Sequence, residues 1–295
     1  MQLHLRDVYS EQGAVKSEFS SWLKGHRRFS ALLPNLSLVN QYLNSHVDLL
    51  IQEDAPAGLY FSFIGKGPIH SVNDIDSVQI SYHPKSIHGQ FLVEKNQPKS
   101  ILQARITPSL LASVLGETEE QIIQHFSGMK EKLGIDNGII ELSVTVNTTR
   151  SLIPVLNHQG HAISLAGHIY SLIFGLIEQL QLLSHLSQCN NCQRKLFQAQ
   201  NLVEMPEHDT PNIHRLAQQV GLNTEALEIG FHLITGQSIE RYCLHNRIQS
   251  AAAKIRQDPS AKTHILAQSG FSEDQFEAAF IQHFGIDIHQ YGQIH

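Results

Sequence analysis

The chain has 295 residues, 41% hydrophobic and 16% charged, with a formal net charge of −6 and a sequence pI of about 6.3. That length suits two domains with sizeable cores, and that composition excludes a disordered or collagen-like chain. Three cysteines make no disulfide framework, and the opening residues Met1 to Asp7 hold no apolar stretch of the signal-peptide kind, so a cytoplasmic protein in a reducing compartment is expected.

Residues 1–55 give little periodicity. Leu3, Leu5, Val8, Trp22, Phe29, Leu32 and Leu33 are apolar points among polar ones, and Lys24 to Arg28 is the densest basic spot. It reads as a solvated loop, with an arm touching DNA or a partner as the sharper alternative. From Leu59 to Ile106 the period is two. Leu59–Phe63, Val78–Tyr82, Gly89–Val93 and Ile101–Ile106 are short strand candidates between Gly-, Pro- and Asn-bearing turns, as in a small sandwich or barrel. Phe61, Phe63, Tyr82 and Phe91 are the candidate lining of a ligand pocket in it, the alternative being that they are simply core. His70, His83 and His88 stand apart without a close pair, so a catalytic metal site is not expected.

Thr107-Pro108 opens a helix to Leu115, and Thr118-x-x-Gln121 reads as a capping box for a second helix to about Leu133. Ile139 to Val146 alternates like a strand, and helices resume near Thr149. Ala162 to Leu186 carries a broad apolar stripe at three-to-four spacing. His168, Ser171, Glu178 and Gln179 within it argue for a buried helix over a membrane span. At the end of this helix His185, Cys189 and Cys192 fall near one another. Zinc or iron with a fourth ligand from a dimer mate, a thiol sensor, and two reduced surface thiols are the readings, and no cofactor is required.

Beyond residue 210 the chain repeats itself. Leu216, Gly221, Leu227, Phe231, Gly236 and Tyr242 recur 49 residues later as Ile265, Gly270, Phe276, Phe280, Gly285 and Tyr291. Each copy reads as helix, glycine break, capped helix, glycine stop, with Asn223 or Thr224 capping the first inner helix and Ser272 the second. Ile239 to Arg256 is a long helix between them. In such a motif the second helix of each copy is shaped to enter a major groove.

The run Leu227-x3-Phe231-x4-Gly236-x5-Tyr242-x4-Arg247-x3-Ala251, with Gly270-Phe271-Ser272 and Phe276-x3-Phe280-x3-Phe284-Gly285-x5-Tyr291, resembles the DNA-binding domain of AraC/XylS transcription regulators. The Gly230-Phe231 and Ala279-Phe280 pairs are most similar to its PchR-like branch, which answers to siderophores. The resemblance implies an α+β protein: a cupin-like β-barrel at about 56–106 and helices at about 107–186, together an effector-binding and dimerisation domain over 1–186. A linker over 187–210 and an all-α reader over 211–295 would follow. It implies double-stranded DNA, RNA polymerase and a small-molecule effector as partners, an activating homodimer, no enzymatic activity, and a structural role for Arg247. The candidate DNA-contacting residues are Asn223, Thr224, Glu225, Glu228, Ile229 and His232 in the first copy, and Ser272, Glu273, Gln275, Glu277 and Gln282 in the second.

Charge pulls the other way. Residues 1–200 carry a net −1 and residues 201–295 a net −5, with 6 Lys and Arg against 11 Asp and Glu in that second part. Duplex binders draw nonspecific affinity from cations on phosphates. The family places Arg or Lys at several positions where this chain has His232, Ala278 and Ile281, and alanine where it has Leu266. A scaffold with weakened DNA binding that acts through protein contacts or mixed dimers is therefore the alternative.

Overall fold

The computed structural model describes residues 2–133, 135, 138–204, 212–285 and 287–288. Tyr291 of the repeat, the side chain of Gln282 and linker residues 205–211 lie outside the described residues. The protein is α+β, and its chain divides into two compact units, Met1–His185 and Leu186–His295.

The first unit holds nine strands: β1 (Gln2–His4), β2 (Leu23–Leu33), β3 (Leu36–Ser45), β4 (Leu49–Ala55), β5 (Gly58–Gly65), β6 (Ser77–His83), β7 (Ile87–Val93), β8 (Lys99–Ile106) and β9 (Ile139–Leu142). They form a three-stranded sheet, β1-β4-β7, and a six-stranded sheet, β2-β3-β8-β5-β6-β9. Strand β5 lies inside the larger sheet and is buried along nearly its whole length, and its run of Leu59, Tyr60, Phe61 and Phe63 is broken by Ser62 alone. The strands begin well before the region where the sequence shows alternation. Lys24 to Arg28 belong to β2, paired residue by residue with β3, and not to a loop. An edge strand with both faces largely in solvent has no apolar period to read. Cations on such an edge discourage a second chain from pairing with it. Arg27 also pairs with Glu53 on β4 at 3.0 Å.

In the smaller sheet, His4 on β1 and His88 on β7 both reach Asp54 on β4, at 3.2 Å and 2.5 Å. The His88 hydrogen bond chiefly holds the Asp54 carboxyl below its ordinary range. The short helix α1 (Leu5–Val8) and this sheet share a core of Leu5, Val8, Leu49, Ile51 and Val93, with Phe91 packed against it.

Helix α2 (Pro108–Leu115) starts with Thr107 as its cap and Pro108 in its first turn, and α3 (Glu119–Lys132) opens on the Thr118–Gln121 capping box. The strand near Ile139 stops at Leu142, and α4 (Val146–Leu156) begins because Thr145 caps it. Helix α5 (Ala162–Gln188) is long and apolar enough to cross a membrane by length and composition. Its stripe Ile169, Leu172, Ile173, Leu176, Leu180 and Leu183 is nonetheless buried in the protein. Gln179, 2% exposed, donates to Thr145 and Thr148 Oγ1 at 2.8 Å each, so α5 is fastened to the cap of α4. A buried amide with two such bonds is a feature of a protein interior, since losing them would cost about 1–3 kcal/mol each.

Residues 190–204, expected as linker, form helix α6 (Asn190–Glu204) and belong to the second unit's core. The remaining helices are α7 (Ile213–Val220), α8 (Thr224–Thr235), α9 (Ile239–Gln257), α10 (Lys262–Gln268) and α11 (Glu273–Phe284).

Candidate nucleic-acid interface

The two copies close their turns with the same bonds. After α7, Leu222 N–H donates to Ala217 O at 2.9 Å and Gly221 N–H to Gln218 O at 3.2 Å. After α10, Phe271 N–H donates to Leu266 O at 3.0 Å and Gly270 N–H to Ala267 O at 3.1 Å. Gly221 and Gly270 have φ of 67° and 70°, the left-handed conformation that a side chain disfavours. Gly236 and Gly285, which end α8 and α11, have φ of 72° and 71°. The caps match as well: Asn223 Oδ1 accepts from Ala226 N–H at 2.7 Å, and Ser272 Oγ accepts from Gln275 N–H at 3.3 Å. Thr224 does not cap α8; its hydroxyl pairs with His214 Nδ1 at 2.9 Å.

Each copy has its own core. Leu216, Ala217, Val220, Leu227 and Phe231 gather with Ile239 and Cys243 of α9 and with Leu196 and Ala199 of α6. Ile265, Leu266, Phe276 and Phe280 gather with Ile248, Ala251, Ala252 and Ile255 of α9. Leu266 belongs to the same core as the small residues Ala251 and Ala252. Arg247 holds the second copy to α9. Its guanidinium donates to Ser269 O from Nε at 3.2 Å and from Nη2 at 2.8 Å, and lies 4.7 Å from the Phe271 ring centroid.

Helix α8 does not present its candidate residues alike. Ala226, Leu227, Ile229, Gly230 and Phe231 are all buried, so the buried arc takes in Ile229, a candidate DNA contact by sequence. Glu225, Glu228 and His232 are partly exposed. On α11, Phe276 and Phe280 are buried while Ser272, Glu273, Gln275 and Ile281 are exposed. Lys262 forms ion pairs with Glu273 and with Glu277, the latter at 3.2 Å. The Glu273 hydrogen bond chiefly raises the Lys262 ammonium above its ordinary value. A cation at the start of α10 is thereby spent on two acids of α11.

In the first unit Phe61, Phe63 and Tyr82 share one face of the larger sheet through the pairing of β5 with β6, while Phe91 lies on the smaller sheet. Phe61 and Phe63 are fully buried on β5, and Phe91 packs into the core of the smaller sheet. Tyr82 has its ring centroid 6.1 Å from that of Phe126 on α3. A cleft of about 480 Å³ lies among α2, α3 and α5. Its walls include Leu59, Leu111, Ile122, Phe126, Met129 and Leu180, with His125 and Lys132 among the polar groups. Sequence reasoning found these helices and missed the cleft. The available signal was the apolar face of α3, Ile122, Phe126 and Met129 at four- and three-residue spacing. Helix α6 was missed too, although Leu196, Ala199 and Val203 repeat at helical spacing.

Cys189 and Cys192 are not two reduced thiols but a disulfide-bonded pair with Cα atoms 5.2 Å apart. The ligand atoms of His185, Cys189 and Cys192 lie within 4.8 Å of one another, so all three candidates do come together. In the disulfide form neither sulfur is a thiolate that a metal could take.

No protein-family model matches the chain, and no curated protein matches it. Among solved structures it is similar to ToxT from Vibrio cholerae with an unsaturated fatty acid bound, at 11% identity over 84% of this chain and 96% of that one, TM-score 0.28. It is similar to ToxT in a P21 crystal form, at 9% identity over 92% and 98%, TM-score 0.27. ToxT bound to (E)-4-(8-methylnaphthalen-1-yl)but-3-enoic acid matches at 11% identity over 88% and 94%, TM-score 0.25. These values describe a distant likeness and assign this chain no function.

Proposed function

We propose that the chain is a transcription regulator of the AraC/XylS type, binding double-stranded DNA through two helix-turn-helix units. The observation that carries this reading is the duplication: two copies with the same turn bonds, the same left-handed glycines and the same cap position, hung on one long helix. In that motif α8 and α11 are the helices that enter successive major grooves. The chain is a binding protein rather than an enzyme. It works in the cytoplasm as a homodimer and activates by contacting RNA polymerase.

The first unit senses a small, largely apolar molecule, a siderophore being what the PchR-like pairs Gly230-Phe231 and Ala279-Phe280 suggest. The cleft among α2, α3 and α5 is the place for it, since its volume falls within the roughly 300–1,000 Å³ of ligand pockets. A second reading, a scaffold that binds another protein, is favoured by the acidic surplus and by Lys262 being held by Glu273 and Glu277.

Binding to promoter fragments and to random duplex across a salt series separates the two. A DNA reader gives a preferred site and an affinity that falls as salt rises. A folded protein with neither property is the scaffold.

A further inference from the structure

Cys189 stands immediately before α6 and takes the position of its cap. Its carbonyl accepts from Gln193 N–H at 2.9 Å, and its sulfur accepts from Cys192 N–H at 3.2 Å. Cys192 is three residues on, in the first turn, which is what brings the two Cα atoms to 5.2 Å and within disulfide range. Both residues are partly exposed. The Cys189 sulfur accepts the Cys192 N–H and faces the positive end of α6, which favour thiolate over thiol, against the carbonyl end of α5 at Gln188. The third cysteine, Cys243, is 5% exposed within the core and has no such surroundings.

We infer that Cys189 and Cys192 form a reversible thiol–disulfide exchange site for low-molecular-mass disulfides, with Cys189 as the attacking sulfur. In the reduced protein the Cys189 thiolate attacks one sulfur of a small disulfide such as glutathione disulfide. The small molecule's S–S bond breaks, a mixed disulfide forms on Cys189, and one small thiolate leaves. Cys192 then gives its proton to that thiolate and attacks the Cys189 sulfur. This closes the Cys189–Cys192 bond and releases the second small thiolate, which takes a proton from water. Two protein thiols are oxidised, one small disulfide is reduced to two thiols, and two electrons pass between them.

The site lies at the head of a bracing helix. Lower on α6, Lys195 Nζ donates to Gly221 O at 2.7 Å, and Gln200 donates to Tyr242 Oη at 2.9 Å. The inference does not depend on whether the chain binds DNA.

The test uses the full chain equilibrated in glutathione redox buffers, quenched with acid, alkylated and weighed by mass spectrometry. The expected result is one two-electron transition involving Cys189 and Cys192, with Cys243 unmodified in the native protein. Cys192→Ser should accumulate glutathione on Cys189. Its alkylation by iodoacetamide at pH 7 should be roughly tenfold faster than that of Cys192 in Cys189→Ser, because the attacking thiol has the larger thiolate fraction. Equal rates in the two variants would remove Cys189 from its role. A pair that stays bonded in fully reducing buffer, or stays reduced in fully oxidising buffer, would overturn the exchange site. That wild-type titration decides the matter even where a serine variant misfolds.

Discussion

Gly230 shows how a single residue sets the first copy apart from the second. A Cβ built there would lie 2.5 Å from Leu196 Cδ1 and 2.6 Å from Cδ2, so α6 lies against bare backbone of α8. Ala279 holds the equivalent place in the second copy. Gly230→Ala would make the copies alike and should destabilise the protein by about 1–3 kcal/mol, because Leu196 is fully buried and has little room to turn away. Chemical denaturation reads this; an unchanged midpoint would mean that α6 does not pack there. Cys243 gives a second residue-scale prediction. Burial pushes its thiol from 9.0 up to about 11, with Glu240 adding to the rise and Arg247 opposing it. The folded value exceeds the unfolded one, so the stability it contributes is whole below about pH 9 and is lost as pH rises towards about 11. Cys243→Ala should flatten the stability–pH curve in that window relative to wild type, and parallel curves would count against it.

At the scale of elements, caps fix where the groove helices begin. Ser272 N–H donates to Gln275 Oε1 at 3.0 Å while its hydroxyl accepts from Gln275 N–H, a reciprocal cap on α11. Ser272→Ala should cost about 1 kcal/mol and lower the melting temperature with little change in helical signal at 25 °C. The acids further along these helices carry the charge question. Glu228→Lys with Glu277→Lys should raise affinity for random duplex and steepen its salt dependence by about one for each lysine that reaches a phosphate. Lys262 would keep Glu273 as partner, so the second change should leave α11 in place. No change in random-duplex affinity would show that these faces do not meet DNA. The elements also differed in legibility. Helices α2, α3, α7, α8 and α11 each carry a cap residue and an apolar stripe, and their starts are readable for that reason. Strands β2 to β4 carry no clean alternation, although Pro34-Asn35 marks the turn between β2 and β3, and α6 was hidden behind a polar first turn.

For the whole molecule, the second unit has the means to stand alone. Among the described residues, the buried members of its two cores come from residues 196–280. A fragment of residues 186–295 should therefore give a helical spectrum and a cooperative melt, and a non-cooperative trace would show that it needs the first unit. The duplication, the glycine stops, the Ser272 and Thr118 caps and the acidic surplus were settled by the sequence by itself. Each is a local or compositional property: a backbone angle, a side chain three residues from an amide, or a sum of charges. Tertiary structure alone decided the burial of Ile229, the placing of Phe91 on a different sheet from Phe61, Phe63 and Tyr82, and the cleft among α2, α3 and α5. It likewise engaged Lys262 with the acids of α11. These depend on which faces meet after the chain has turned back on itself, and residue spacing carries no record of a neighbour that comes from far along the chain.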